Sequence, residues 1–307
     1  MGDGKTALFI MKKITAIFFV ACLAMLCTAC HKEGVYNPSK KISKIYHTNS
    51  DGVKSIDEVW TWNKNNTLEK IDYYSGNSIY RTNNYTYDNK RLVKINDYTH
   101  NEYVEFKYDG YKLKEANCYD DNILYCIYTF TYKDGKISKI ESKWLDDDYY
   151  KSSGEKDNLM ALDFIMPREL NEAVAKYNKR KAKEGKGGVE EVTTISLTWE
   201  KGNVTKALIT EYDGEYEEYT WEAKYDNKKN PFLGFSDVDV SIVSNRSKNN
   251  IVESIERWNN GSDYYKVTYD YSYEGQYPVS YRKSFVEAWS GGSYSGYSGM
   301  TEYEYTK

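Results

Sequence analysis

One short pattern recurs along the chain and constrains its fold more than any other feature. Two or three aromatic residues stand at alternate positions, followed by Asp, Asn or Gly, then by an aliphatic residue and often by Lys-Ile. Its copies span residues 60–71, 85–95, 106–113, 128–140, 197–204 and 271–279. Alternation of this kind is typical of strands with one buried face, and the Asp-Asn, Asp-Gly and Glu-Gly pairs predict hairpin turns. The repeats therefore predict an antiparallel meander of Tyr-rich hairpins.

The aliphatic residues of each copy refine this prediction. Leu92 and Ile95 are three positions apart, as are Leu68 and Ile71. Residues at that spacing point to opposite faces of a regular strand, so we expect the first aliphatic residue to close the hairpin end or to lie at a bulge. Consecutive hairpins that add side by side predict a mainly β fold, a curved sheet or half-open barrel.

One segment predicts a helix instead. Residues 158–166 are apolar, Pro167 suits a helix start, and Leu170, Ala173 and Val174 fall on one face of the helix that follows. We expect a helical insertion at about 156–186 within a single β domain of residues 41–307. The basic residues at its end suit the helix dipole, and a site for an anionic ligand is the alternative.

The first thirty residues have the composition of an export signal. Lys12 and Lys13 precede the apolar stretch 14–26, so we expect residues 1–29 to be removed as a signal peptide, with Met11 as the true start of the protein. Residues 26–30, Leu-Cys-Thr-Ala-Cys, resemble the lipobox of bacterial lipoproteins, although Cys27 stands where that family has an aliphatic residue. The resemblance implies acylation of Cys30 and a tether over residues 30–40. A secretory signal without lipid is one alternative, and a transmembrane anchor is another.

Charge narrows the range of partners. Residues 1–29 hold three lysines and one aspartate, so of 42 basic and 46 acidic side chains the mature chain keeps 39 and 45. A mildly acidic chain argues against nucleic acid as a partner. We expect a monomer, held to the membrane through lipid on Cys30 and localised in the cell envelope at the outer membrane. Whether it faces the periplasm or the cell surface stays open.

Longer motifs carry a family resemblance. The lipobox-like start, the Tyr-x-Tyr-Asp hairpins, residues 199–203 (Trp-Glu-Lys-Gly-Asn) and residues 225–232 together resemble lipoproteins of unknown function from Bacteroides-type gut bacteria. That resemblance implies a porin-like β fold. A weaker similarity links the hairpins to the Tyr-Asp repeats of rearrangement-hotspot proteins, whose Gly-Arg pair is missing here. A membrane-spanning barrel needs strands of about ten residues with an outward apolar band, and these segments are short and flanked by charges.

The hairpin pattern predicts the relative position of two cysteines. If residues 117–127 turn about Asn122, Cys118 and Cys126 lie opposite each other on neighbouring strands. Such a site is compatible with a disulfide in an oxidising envelope. Two free, half-buried thiols are the alternative.

Catalytic, metal-binding and cofactor motifs are missing from the sequence. His31, His47 and His100 have no paired ligand spacing, and no nucleophile elbow or phosphate loop is present. The acidic run 146–148 is expected to be a solvated turn, with calcium binding as its alternative. Glu215, Glu217 and Glu218 are among many carboxylates from which a hydrolase could draw a pair.

Aromatic residues are the remaining functional signal. Trp60 and Trp62 share a strand face, and Tyr294 and Tyr297 lie in a predicted loop, the Gly- and Ser-rich segment 291–299. Such rings suit contacts to a sugar or a peptide, and the alternative is that they form the sheet core and a hairpin tip. The sequence favours non-enzymatic binding of a carbohydrate, a peptide or an envelope protein. A carboxylate-based hydrolase and a structural subunit of an outer-membrane assembly are the alternatives.

Overall fold

The computed structural model describes residues 33–145, 192–212, 216–235, 246–258 and 263–306. Within these residues the chain is all β, with sixteen strands and no α-helix. The predicted helical insertion at about 156–186, Cys30 and the signal peptide lie outside the described residues. The strands are β1 (Ile42–Thr48), β2 (Lys54–Trp62), β3 (Leu68–Ser75), β4 (Ser78–Asp88), β5 (Arg91–Asp97), β6 (Glu102–Asp109), β7 (Lys112–Asp120), β8 (Ile123–Lys133), β9 (Lys136–Trp144), β10 (Val192–Glu200), β11 (Asn203–Tyr212), β12 (Tyr216–Tyr225), β13 (Ile251–Trp258), β14 (Tyr264–Glu274), β15 (Tyr277–Trp289) and β16 (Gly292–Tyr305).

The meander closes on itself. Every strand pairs antiparallel with its sequence neighbours, and β1 also pairs with β16, so that the sheet is a closed barrel. The expectation of a curved sheet or half-open barrel was therefore wrong. Ile45 pairs with Tyr303, and both side chains belong to the interior core or pack against it. Closure gives the first and last strands a backbone partner and buries their apolar faces together, whereas open edges would leave both unpaired.

The repeated pattern forms hairpins with one bulge each. In the second copy Tyr87 pairs with Leu92 and Thr86 with Lys94, so Val93 is an extra residue. The bulge lets Leu92 and Ile95, which are 5% and 0% exposed, both face the interior. The same shift follows the aliphatic partner in the other hairpins of this kind, at residues 68, 113, 137, 204 and 278. The predicted hairpins and bulges are thus confirmed.

Near the basal end of several strands, an aromatic residue fastens its strand to the preceding hairpin. The Tyr108 hydroxyl donates to the Leu92 carbonyl at 2.6 Å, and the Trp199 indole N–H donates to the Ile137 carbonyl at 2.7 Å. Tyr305 closes the series by donating to the Pro278 carbonyl at 2.7 Å. Because each ring also packs inward, one side chain supplies both apolar burial and a hydrogen bond.

Antiparallel strands give the barrel two different ends. We call the end that holds residue 33 and the end of β16 the basal end, and the opposite one the distal end. The hairpin turns of the repeats are all basal. The turns β1–β2, β3–β4, β5–β6, β7–β8 and β15–β16 are distal, as are the connections β9–β10, β11–β12 and β13–β14.

The basal interior is filled by aromatic rings. Trp60 is 5% exposed, and its ring centroid lies 4.7 Å from that of Phe235 and 6.0 Å from that of Phe232. Tyr36, from the segment before β1, packs 5.2 Å from Phe235 and donates to the Pro231 carbonyl at 2.9 Å. The segment before β1 and the β12–β13 connection therefore close the basal end together.

Candidate functional site at the distal end

Exposed apolar side chains are concentrated in the distal half of the barrel. Of the eleven large hydrophobic residues that are exposed in the described part, Tyr111 and Leu233 are basal. The other nine lie in distal turns or in the strand residues beside them: Val53, Ile79, Tyr80, Tyr98, Ile123, Leu145, Trp289, Tyr294 and Tyr297. We call these nine residues the distal rim. Exposed apolar residues gathered in one place are a mark of a binding surface.

The four rings predicted from the sequence do not form one surface. Trp60 and Trp62 are basal and face inward, and the Trp62 indole N–H donates to the Ile42 carbonyl at 2.7 Å. Trp60 is buried, so its ring is not available to a ligand in this structure. Only Tyr294 and Tyr297 belong to the distal rim.

Tyr294 and Tyr297 stand on β16 and face opposite sides of it. Tyr294 packs on the inward-facing ring of Phe285, with centroids 5.7 Å apart, and remains 59% exposed. Tyr297 pairs with Ser284 on the outer face and is 84% exposed. The Gly and Ser content of residues 291–299 predicted a loop, but all of these residues except Gly291 belong to β16. The two tyrosines are three positions apart, which places them on different faces of a regular strand.

A row of polar side chains lines the interior towards the distal end. Asn83, Asp97, Glu102 and Asp120 are successive cross-strand partners on β4, β5, β6 and β7, so they share one face of the sheet. Asn83 and Asp97 are 0% and 1% exposed. Sequence reasoning missed this row because it depends on the register of four strands.

Asp97 is held by the turn that follows it. Its carboxylate accepts a hydrogen bond from the Thr99 amide at 2.9 Å, and its second oxygen lies 2.7 Å from His100 Nδ1. The β5–β6 turn thus supplies the local partners of a buried carboxylate, which would otherwise be costly to desolvate.

Glu102 is the titratable group of this row. Burial, followed by the neighbouring carboxylates of Asp120 and Asp97, raises its pKa to about 7, and the opposing effects of His100 and Arg81 are smaller. A carboxyl with this pKa exchanges its proton near neutral pH and can act as a general acid or base. Two-carboxylate hydrolysis needs a second acid at a set distance, and in this row the carboxylates beside Glu102 are those of Asp97 and Asp120. Glu217 and Glu218 lie on β12, which is not one of the four strands of this row, and Glu215 lies outside the described residues.

The wall formed by β12, β13 and β14 carries a second buried carboxylate. Glu256 is 0% exposed and is the cross-strand partner of Trp221 on one side and Tyr265 on the other. Its carboxylate interacts with the Tyr219 hydroxyl, whose pKa is raised well above the usual value, mainly by burial. This part of the interior therefore combines a carboxylate with aromatic rings.

The two cysteines lie where the hairpin predicted them. Cys118 and Cys126 are direct cross-strand partners around a turn at Asp121 and Asn122, and both are buried free thiols. Burial raises the pKa of Cys126 to about 12 and also raises that of Cys118. Thiols of this kind are poor nucleophiles because little thiolate forms.

The described residues form neither a cluster of metal ligands nor a membrane-spanning helix. Within the described ranges, no three or more His, Cys, Asp or Glu side chains are grouped as metal ligands. Nor does any described segment form an apolar helix of membrane-spanning length. The acidic run 146–148 and His31 lie outside those ranges.

Comparisons with known proteins support the fold. No protein-family model matches the sequence, and no curated protein matches it. The structure is similar to that of a porin-like protein from Bacteroides uniformis, with a TM-score of 0.53 and 13% identity over 90% of this chain and 100% of that one. A porin-like protein from Bacteroides vulgatus matches with a TM-score of 0.51 and 10% identity, over 87% of this chain and 99% of the other. The porin-like β fold expected from the sequence is confirmed, and identities this low show the fold alone.

Proposed function

We propose that this protein is a lipid-tethered, non-enzymatic binding protein of the cell envelope, which holds its ligand at the distal rim. The observation that carries the proposal is the gathering of exposed aromatic and aliphatic side chains around a distal end whose interior is lined by Asp97 and Glu102. The signal peptide of residues 1–29 and the acylation of Cys30 are part of the proposal.

Charges on the outer wall support a barrel that stands in water. Outward-facing strand residues form ion pairs, such as Lys107 with Glu115 at 3.0 Å and Lys224 with Glu253 at 2.8 Å. A barrel that spans a bilayer instead presents a band of apolar side chains about 25 Å tall to lipid, where Lys and Arg are strongly unfavourable. The interior here holds the apolar core, which is the reverse of a water-filled pore.

The closed basal end favours binding over conduction. Rings of Tyr36, Phe232 and Phe235 fill the interior around Trp60, where a porin would keep an aqueous channel. A ligand that meets the distal rim therefore stays at that end.

The chemistry of the distal rim suits a ligand with both flat apolar faces and polar groups. Tyr98 and Tyr297 are 72% and 84% exposed and can stack on a sugar ring or on an aromatic or aliphatic side chain. Carboxylates at the inner side of the rim can accept hydrogen bonds from hydroxyl or amino groups. A carbohydrate is the first candidate, and a peptide or an envelope protein is the second.

The test compares exposed tyrosines at the two ends. The mature chain is screened against a glycan array and against envelope extracts, and each binder is measured again with Tyr98→Ala, Tyr297→Ala and Tyr111→Ala. Tyr111 is the matched control because it is 61% exposed but basal. Distal substitutions are expected to weaken binding at least tenfold and the basal substitution less than twofold; equal effects at both ends would reject the distal site.

A structural subunit of an outer-membrane assembly is the second candidate, because an apolar rim also suits a permanent protein partner. Cross-linking in intact cells through cysteines introduced at Tyr98 and Tyr297 would capture one stoichiometric partner in that case.

Membrane fractionation of Cys30→Ala tests the tether, since an acylated protein should become soluble when this residue is lost. Protease treatment of intact cells shows whether the distal end faces outward.

A further inference from the structure

Charge is distributed unequally between the two ends of the barrel. The basal turns and segments carry thirteen Lys and Arg residues against seven Asp and Glu residues. These segments are 33–41, 63–67, 88–91, 109–112, 133–136, 200–203, 226–235, 246–250 and 274–277. The acidic residues are Glu33, Asp88, Asp109, Asp134, Glu200, Asp226 and Glu274. Counted with the same flanking strand residues, the described distal turns carry six acidic residues, Asp51, Asp97, Glu102, Asp120, Asp121 and Asp263, and one basic residue, Lys54. The basal end therefore carries an excess of positive charge, although the protein as a whole has a net charge of −4.

Aromatic rings hold several of these cations at the basal surface. Lys112 lies 5.1 Å above the Tyr132 ring, Lys136 lies 5.2 Å above that of Trp199, and Lys41 lies 5.3 Å above that of Trp62. Arg91 stacks 4.4 Å from the centre of Tyr108. Cation–π contacts restrict these side chains, so the positive charge is arranged around the barrel perimeter in the folded state.

The chain enters the barrel through this basic surface. The Glu33 amide donates to the Tyr111 carbonyl at 3.1 Å, and the Glu33 carboxylate forms an ion pair with Arg246. Cys30 is three positions before Glu33, a span of at most about 11 Å for a fully extended chain. If Cys30 is acylated, as the proposed function requires, the basal end lies within about that distance of the bilayer surface.

We infer that the basal end is a docking surface for an anionic membrane, whose phosphate-bearing lipid headgroups it contacts through its ring of Lys and Arg. Basic clusters near a bilayer are attracted to anionic lipids, and the attraction acts within about one Debye length. One lipid-modified residue alone permits free rotation of the barrel about its tether. The basic end fixes the orientation and directs the acidic distal end away from the membrane.

The experiment separates this surface from the lipid anchor. The mature chain, residues 30–307, with Cys30→Ala cannot be acylated, and it is incubated with vesicles of phosphatidylcholine and with vesicles that contain 30% phosphatidylglycerol. A basal variant carries Lys64, Lys133, Lys201 and Lys248 changed to Gln. A matched wall variant carries Lys107, Lys139, Lys206 and Lys224 changed to Gln, which removes the same charge from ion-paired positions on the outer strand face.

We expect the parent chain to bind the anionic vesicles at least about tenfold more tightly than the neutral ones, because each basic residue near an anionic surface contributes about fivefold. The basal variant should lose at least tenfold of this preference and the wall variant less than twofold. Raising the salt from 25 to 150 mM should weaken the preference of the parent. Equal losses in the two variants, or no preference for phosphatidylglycerol, would overturn the inference. The assay contains no distal ligand and no acyl group, so its outcome is independent of the proposed binding function.

Discussion

Replacing Glu102 by Gln should stabilise the barrel at pH 8 and leave its stability at pH 4.5 nearly unchanged. Burial and the neighbouring Asp120 and Asp97 raise the pKa of Glu102 from its ordinary value of 4.5 to about 7. A carboxyl with a raised pKa in the folded state contributes stability that is fully present below pH 4.5 and is lost as the pH rises through about 7. At about 1.4 kcal/mol per pH unit the upper limit is about 3 kcal/mol. Because the side chain is partly solvated, we expect about 1–2 kcal/mol.

Urea unfolding at pH 4.5 and pH 8, followed by tryptophan fluorescence, measures this difference directly. Glu105→Gln is the matched control, because Glu105 lies on the same strand β6 but faces outward, where it pairs with Lys94 at 3.4 Å. Loss of that exposed pair should cost less than about 1 kcal/mol, with no gain at pH 8. If Glu102→Gln is less stable than the parent at pH 8, or if its effect is the same at both pH values, the buried-carboxylate explanation is wrong.

Three further predictions concern the packing of the barrel. Tyr108→Phe should lower the free energy of unfolding by about 0.5–1.5 kcal/mol through loss of the hydroxyl's bond to the Leu92 carbonyl, whereas Tyr111→Phe should have no measurable effect in the same urea titration. Gly299→Ala should destabilise the closing strand pair severely, because a Cβ at residue 299 would overlap the backbone carbonyl of Thr48; a melting temperature within a few degrees of the parent would contradict the β1–β16 contact. Cys118 and Cys126 should resist alkylation in the folded protein because both thiols are buried, and in urea without reductant each should gain one adduct that mass spectrometry detects. The absence of adducts in urea would indicate a disulfide instead.

Sequence patterns predicted the local units of this fold well. The alternating rings of residues 85–87 and the turn that follows them fixed one hairpin, and the spacing of Leu92 and Ile95 required the bulge. The opposition of Cys118 and Cys126 followed from the same logic. These features depend on neighbouring residues, for which strand alternation and turn chemistry are sufficient.

Features that depend on distant strands were not predictable in this way. Closure joins β1 to β16, whose paired residues Ile45 and Tyr303 are far apart in sequence. The row from Asn83 to Asp120 requires four strands in register, and a change of one residue in any of them would turn one of these polar side chains outward. Tyr294 and Tyr297 were grouped by composition, but the strand period separates them. The Lys and Arg residues of the basal end are visible in the turns of the repeats, yet only the topology shows that those turns share one end.

The even number of strands relates the proposed tether to the proposed binding site. With sixteen antiparallel strands, residue 33 and the end of β16 lie at the same end, so a membrane anchor at Cys30 must attach at the base. The distal rim is then separated from the anchor by the full length of the strands, which at about 3.4 Å per residue is roughly 30 Å for a nine-residue strand less the effect of tilt. A ligand at that height is beyond the Debye length of the membrane surface at physiological salt, about 8 Å. In the proposed arrangement, acidic groups such as Glu102 would act on the ligand with little influence from anionic lipids at the basal end.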